Sequence, residues 1–174
     1  MTLAMLNLVT PADPNRSEFK YLRTGGFLPP GPQGLPLVKP PYGRITAIDL
    51  NKGEHAWMTP HGDGPRDHPA IKHLNLPPLG NAANGVFSNG GGVLTKSLFF
   101  AIQSEVDESS IMRMGKTGYI RAYDKKNGEL VWQKEIDLTP HGTPMTYMHK
   151  GKQYITMAVG GMGQPAELIA LALP

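Results

Sequence analysis

The sequence predicts an all-β chain built from repeated hairpins, and three observations carry that expectation. Glycine (21 residues) and proline (17 residues) interrupt a chain of 174 so often that long helices have little room. Arg44-Ile45-Thr46-Ala47-Ile48-Asp49 has the apolar and β-branched content of a strand, Leu50-Asn51-Lys52-Gly53 reads as a turn, and Glu54 to Met58 returns as a second strand. The same unit then recurs: Ala47-x-Asp49-x3-Gly53-x3-Trp57 is matched at every fixed position by Ala122-x-Asp124-x3-Gly128-x3-Trp132, 75 residues further on.

From the start of the chain, residues 1–43 show little periodicity. Gly25-Gly26, Pro29-Pro30-Gly31-Pro32, Pro36 and Pro40-Pro41 leave no regular helix or central strand through 25–41, so 1–43 is expected to be an extended Pro/Gly-rich arm. Residues 44–174 form the second unit. After the first hairpin, His61 to Asn89 is rich in Pro, Gly, Asn and His and reads as a loop. Gly91 to Thr95 leads into a short strand over Leu98 to Ile102, and Ser104 to Lys116 reads as a polar excursion before the second hairpin. Three further strands follow at Thr143–His149, Gln153–Val159 and Glu167–Leu173, the first two facing each other across His149-Lys150-Gly151-Lys152. Thr59-Pro60-His61-Gly62 is echoed by Thr139-Pro140-His141-Gly142, which is expected to give the two histidines equivalent positions and a shared structural role.

Composition removes several classes of function. The net charge is +3 and the 17 basic residues form no run of five or six, so no nucleic-acid footprint is expected. The absence of cysteine excludes disulfides, thiolate metal sites and a cysteine nucleophile within this chain. No apolar stretch approaches the ~18 residues of a membrane span, and Met1 to Thr10 lacks the basic start of an export signal. Gly115-Lys116-Thr117 has Ser110 where a phosphate-binding loop needs its first glycine. The six histidines show no HxH or HExxH spacing. Asp63, Asp67, Glu105 and Asp107 are expected in loops as solvated groups, and Tyr147 with Tyr154 as a cross-strand packing pair. Charged residues are only 18% of the chain, so part of its surface is expected to be covered by something else.

The repeated residues suit a hairpin that docks on a neighbour. Asp49 and Asp124 can accept backbone N–H bonds within the turn, which holds it shut. Gly53 and Gly128 take a left-handed conformation that a Cβ disfavours. Trp57 and Trp132 offer a large flat surface and one N–H that needs a partner, while Ala47 and Ala122 are small enough to let the ring settle. All eight residues are therefore read as structural.

This pattern resembles the tryptophan-docking motif of quinoprotein dehydrogenases, whose blades lock into an eight-bladed β-propeller. Other stretches are similar, in the same order, to the glucose/quinate-type branch. These are Gly34 to Gly43, Gly62 to Pro69, Leu74 to Gly80, Thr143 to Tyr147 with Gly151 to Tyr154, Gly160-Gly161, and the closing Leu168 to Pro174. The resemblance covers Gly34 to Pro174 and implies a partial β-propeller of two to three blades from the C-terminal part of a pyrroloquinoline-quinone (PQQ)-dependent enzyme. A propeller closes with about 4–8 blades of roughly 40–50 residues. The chain is therefore expected to be inactive alone and to need the remaining blades or a partner subunit.

By the same resemblance, the complete protein oxidises a sugar, polyol or alcohol in the periplasm. PQQ lies in the central channel beside a calcium ion, and an Asp of another blade takes the substrate's hydroxyl proton. Asn89, Gly90, Gly91 and Gly92, with Gly160, Gly161 and Met162, match positions near the cofactor pocket. In alcohol- and methanol-type relatives a Trp precedes the first glycine pair and another follows the second. Here Asn89-Gly90 and Met162 stand there, Met162 offering a soft apolar contact instead. The competing expectations are that these glycines are plain strand-end turns, and that the chain is a non-enzymatic PQQ-repeat module for protein binding or assembly.

Overall fold

The computed structural model describes residues 7–24, 31–81, 91–106, 114–161 and 163–172. Eleven strands run through them: β1 (Asn7–Val9), β2 (Leu22–Thr24), β3 (Arg44–Asp49), β4 (Glu54–Pro60), β5 (Gly92–Leu94), β6 (Leu98–Val106), β7 (Met114–Asp124), β8 (Leu130–Ile136), β9 (Pro140–His149), β10 (Lys152–Gly161) and β11 (Gln164–Ala172). Every pairing is antiparallel. The sheets are β1-β2, β3-β4, a four-stranded β5-β6-β7-β8 and a three-stranded β11-β10-β9. The helical elements among the described residues are four single 3₁₀ turns, and none is long and apolar enough to cross a membrane. The turn that joins β9 to β10 is the expected one, with His149 opposite Lys152.

The four-stranded sheet sits in the middle. Residues directly opposite across antiparallel strands share a face. Ile102 lies opposite Ile120, and Ser104, Gly118 and Ile136 form the next row, so these positions point to one side. They meet Ile155, Met157 and Val159 of β10, and these six buried residues carry the core, with Val93, Phe100, Leu138, Ile169 and Leu171 packed at its margin. Ile120 is 0% exposed. Ile120→Ala should cost about 3 kcal/mol, the middle of the range for such truncations, read as a lower urea midpoint with an unchanged slope.

Ala101, Gln103, Tyr119, Arg121 and Tyr123 point the other way, toward the segment that leaves β4. That segment is a loop by outline but is tied down like a strand. His61 N–H donates to Gly43 O, Asn81 N–H to His61 O, Gly80 N–H to Gly62 O, and Leu79 N–H to Asp63 O. Leu79 and Gly80 are buried as a result. The middle sheet is thus covered on both faces, by the three-stranded sheet on one side and by the first hairpin with its following loop on the other.

Three expectations change. Within 1–43, the arm contains a short two-stranded sheet, β1-β2, and two 3₁₀ turns rather than extended chain throughout. The polar stretch after Ile102 continues as strand to Val106, because Gln103 and Ser104 find partners inside: Arg121 Nη1 donates to Gln103 Oε1 at 2.7 Å and Ser104 Oγ donates to Pro140 O at 3.2 Å. Glu105 therefore sits on β6 rather than in a loop, while Asp107 lies outside the described residues. Finally, the two Thr-Pro-His-Gly stretches are not equivalent. Pro60 ends β4, whereas Pro140 and His141 begin β9, the first strand of the next sheet.

Candidate functional site

The two repeated hairpins have the same internal build. Ala47 lies opposite Trp57 and Ala122 opposite Trp132, and in both hairpins a register shift follows the Ala. Asp49 Oδ1 accepts from Asn51 N–H at 2.9 Å and from Lys52 N–H at 3.3 Å; Asp124 Oδ1 accepts from Lys126 N–H at 2.7 Å. Gly53 and Gly128 close the turns at φ +70° and +75°, each donating its N–H to the turn's Asp carbonyl. The surroundings differ. Trp57 lies on the second hairpin's turn: its Nε1–H donates to Lys125 O at 2.8 Å, and a Cβ on Gly128 would stand 2.4 Å from the indole ring. Gly53 has nothing within 4 Å of the corresponding position, and Trp132 is 43% exposed.

Beneath the loop that follows β4 is a buried polar cluster. Arg121 is 2% exposed, and Nε donates to Gln133 Oε1 at 3.3 Å while Nη1 holds Gln103. Its guanidinium carbon lies 4.5 Å from the Tyr119 ring centre. No carboxylate among the described residues pairs with it; the ion pair there joins Arg66 to Asp63 at 3.5 Å. His61 Nδ1 is 2.9 Å from Tyr123 Oη. Burial first, and the Arg121 charge second, hold the His61 imidazole down at about 4, so it is neutral at pH 7. Burial pushes the Tyr123 phenol up to about 12, so its hydroxyl stays protonated beside that neutral ring. Burial also raises Glu105, with Arg121 pulling the other way. Sequence reasoning missed this cluster. The signal was present in Tyr119-x-Arg121-x-Tyr123 alternating with Ile120 and Ala122, a strand apolar on one face and polar on a face that is also covered.

The glycine pairs meet at a single place, the beginning of β9. Gly91 N–H donates to Gly142 O at 2.9 Å, and Gly160 N–H donates to Thr139 O at 2.8 Å. Both β5 and β9 are edge strands of their own sheets, so the junction forms where two sheet edges converge. Close packing explains three of the four glycines. A Cβ would run into Thr143 at Gly91, into the Phe99 ring at Gly92, and into Pro165 O at Gly160. Gly161 is different: at φ +96°, its nearest neighbour is His141 Nε2, 3.2 Å from a Cβ position. That nitrogen is buried and has no hydrogen-bond partner among the described residues. Asn89, Gly90 and Met162 lie outside the described residues. Tyr147 and Tyr154 are directly opposite in β9-β10 and stack at 5.2 Å between ring centres and 9° between planes, a packing pair.

Comparison with known proteins agrees with this architecture. Residues 10–155 match the PQQ family described as a glucose/ethanol/alcohol dehydrogenase β-propeller domain. The chain is 34% identical over 154 residues to quinoprotein glucose dehydrogenase of Escherichia coli, covering 82% of this chain and 17% of that protein. It is 32% identical over 148 residues to quinate/shikimate dehydrogenase (quinone) of Acinetobacter baylyi, covering 80% and 16%. Against the glycerol dehydrogenase large subunit of Gluconobacter thailandicus it is 32% identical over 147 residues, covering 81% and 18%. The matched region thus spans only about a sixth of each relative's length. A strand architecture and a family match over most of its length place the chain in the PQQ β-propeller family of glucose, ethanol and alcohol dehydrogenases.

Proposed function

We propose that the chain is a late portion of a PQQ-dependent dehydrogenase that oxidises a sugar, polyol or alcohol, and that it is inactive until the remaining blades are supplied. The observation that carries this is the unequal state of the two repeats. Trp57 has its turn and Gly128 has its indole, whereas Trp132 lacks a turn and Gly53 lacks an indole. A further sheet on each side supplies both. The far side fits that reading. β11 is an edge strand, and Ile136, Leu138, Val159, Ile169 and Leu171, together with the charged Lys134, Glu135, Asp137 and Glu167, line an open cleft between β8 and β11 where another strand can lie. Leu168, 75% exposed on β11, and Met145 and Tyr147 on β9 present apolar surface to a following blade.

PQQ supplies, when bound, the quinone that takes up two electrons as an alcohol becomes a carbonyl. The junction at the start of β9 suits such a group. A planar quinone bearing carboxylates seeks close backbone approach, and the junction offers backbone that carries no side chain at Gly160 and Gly161. Gly161 would face the cofactor, while Gly91, Gly92 and Gly160 would hold the backbone in place beneath it. Calcium and the proton-accepting Asp belong, in this reading, to blades outside the chain. The periplasm is the compartment we assign to the complete protein, from the resemblance alone.

The test is a titration of the folded chain with PQQ and calcium, followed by quenching of tryptophan fluorescence. Saturable, calcium-dependent quenching is the expected result. A chain that is β-structured by circular dichroism yet shows no saturable quenching would remove the cofactor assignments from this chain, leaving a structural portion that awaits its partner blades or the non-enzymatic assembly module.

A further inference from the structure

We propose that the outer face of the three-stranded sheet β9-β10-β11 is a docking surface for a second copy of this chain, paired face to face about a twofold axis. The inner face of that sheet carries Ile155, Met157 and Val159 into the core, so the alternate residues of β10, Tyr154, Thr156 and Ala158, point away from it. Register places Tyr147 and Ala172 beside Tyr154, Met145 and Ala170 beside Thr156, and Leu168 beside Ala158. No charged residue stands at any of these positions. Leu168 is 75% exposed, Met145 56% and Tyr147 40%; the three alanines are exposed too, with Thr156 buried at the centre. The pairing is independent of the dehydrogenase reading, since a following blade and a second copy would compete for the same face.

The face is self-complementary in shape. β9 lends it long side chains, Met145 and Tyr147, the second stacked on Tyr154 at 5.2 Å between ring centres. In the same rows, on the other side of β10, β11 offers only Ala170 and Ala172. A twofold axis parallel to β10, midway between two stacked sheets, lays each copy's β9 over the other's β11 without changing the row. Tyr147 then meets Ala172 of the second copy and Met145 meets Ala170, large on small in both directions. Stacked sheets lie about 10 Å apart, a gap that large-on-small pairs fill. An isologous contact of this kind needs only one patch and closes at the dimer. A charged partner finds nothing to pair with here, whereas the neighbouring cleft between β8 and β11 carries Lys134, Glu135, Asp137 and Glu167. Three strands about 4.8 Å apart and roughly five residues tall make a face of about 15 by 17 Å, well short of a standard-size interface, so the dimer is weak.

The experiment is sedimentation velocity of the full chain across concentrations from about 1 to about 500 µM, a range suited to a small interface. The weight-average mass should rise from 18.9 kDa toward twice that value and stop there. Met145→Lys and Ala170→Lys, on opposite sides of β10 and both at exposed positions, should each raise the dissociation constant at least about tenfold, because each buries an unpaired charge. Leu50→Lys, at a 91% exposed site on the first hairpin's turn, should leave it unchanged. The chain has no cysteine, so Ala158→Cys introduces a single thiol close to the axis, and a short bis-maleimide should join two copies through it. A mass that stays at 18.9 kDa throughout overturns the proposal and leaves the face to a following blade. Growth past the dimer overturns it too, as does weaker association in Ala170→Lys but not in Met145→Lys, which would mean pairing through the β11 edge. A dimer that gives no cross-link at Ala158→Cys rules out the twofold arrangement.

Discussion

Trp57→Ala should destabilise the chain by about 3 kcal/mol, while Trp132→Ala should cost less than about 1 kcal/mol, although the two residues hold the same place in the repeat. The difference comes from what each indole touches. Trp57 covers Gly128 and donates to Lys125 O, so its loss opens a gap between the first hairpin and the middle sheet and orphans a carbonyl. Trp132 is half in solvent. The glycines should follow the same asymmetry. Gly53→Ala adds only the left-handed backbone penalty, about 1 kcal/mol. Gly128→Ala adds that penalty and also forces a methyl to within 2.4 Å of the ring, for a total of about 2–3 kcal/mol. In a Trp57→Ala background the extra part should vanish, a coupling that a double-mutant cycle in urea measures directly. Hydrogen exchange should rise chiefly across 44–60. Equal costs for Trp57→Ala and Trp132→Ala would mean that the contact between hairpin and turn is not what holds the first hairpin.

The hairpins were legible because their information is local. An Asp four residues before a Gly closes a turn through its own backbone, and both turns are built that way. An Ala ten residues before a Trp places one opposite the other across the hairpin. The acceptor of Trp57 lies 68 residues away, and nothing near either residue announces it; the repeat shows only that a docking surface and a docking turn both exist. Local likeness misleads in the same way. Thr-Pro-His-Gly occurs twice, yet one copy ends the second strand of a hairpin and the other begins the first strand of the next sheet, because what precedes each differs in length. From Trp57 to Thr59 is two residues, and from Trp132 to Thr139 is seven. That count was available in the sequence and separates the two histidines.

The candidate site was half legible. Gly91, Gly92, Gly160 and Gly161 could be picked out by resemblance, but the reason each is a glycine depends on which backbone passes over it, and that is a property of the fold. Arg121 shows the same limit from the opposite side. In sequence it is one of 17 scattered basic residues; in the fold it is buried between two glutamines and a tyrosine face, and it sets the charge that its neighbours feel.

That charge has a consequence for acid stability, centred on His61. Its folded-state pKa is about 4 against an unperturbed 6.5, lowered by burial and then by Arg121. Above pH 6.5 the ring is neutral in both states and adds no pH dependence. As pH falls below 6.5 the unfolded chain takes up a proton that the folded chain refuses, so stability declines until about pH 4, where the folded ring also protonates. The loss should reach about 2–3 kcal/mol across that window. Glu105 acts against it. Its carboxyl is raised, so the folded state binds that proton more readily and gains stability as the pH falls through the same region. Glu135 and Asp63 carry further negative charge facing the cluster: both raise Glu105, and Asp63 raises Tyr123. His61→Gln separates these contributions, since an amide can meet Tyr123 Oη without titrating. Urea midpoints from pH 7 to pH 4 should fall steadily in the parent chain and lose that decline in His61→Gln. A parent chain whose midpoint stays flat over this range would show that the His61 ring is solvated, and that the loop from 61 to 81 does not seal the sheet as the hydrogen bonds to Gly43, Gly80 and Asn81 require.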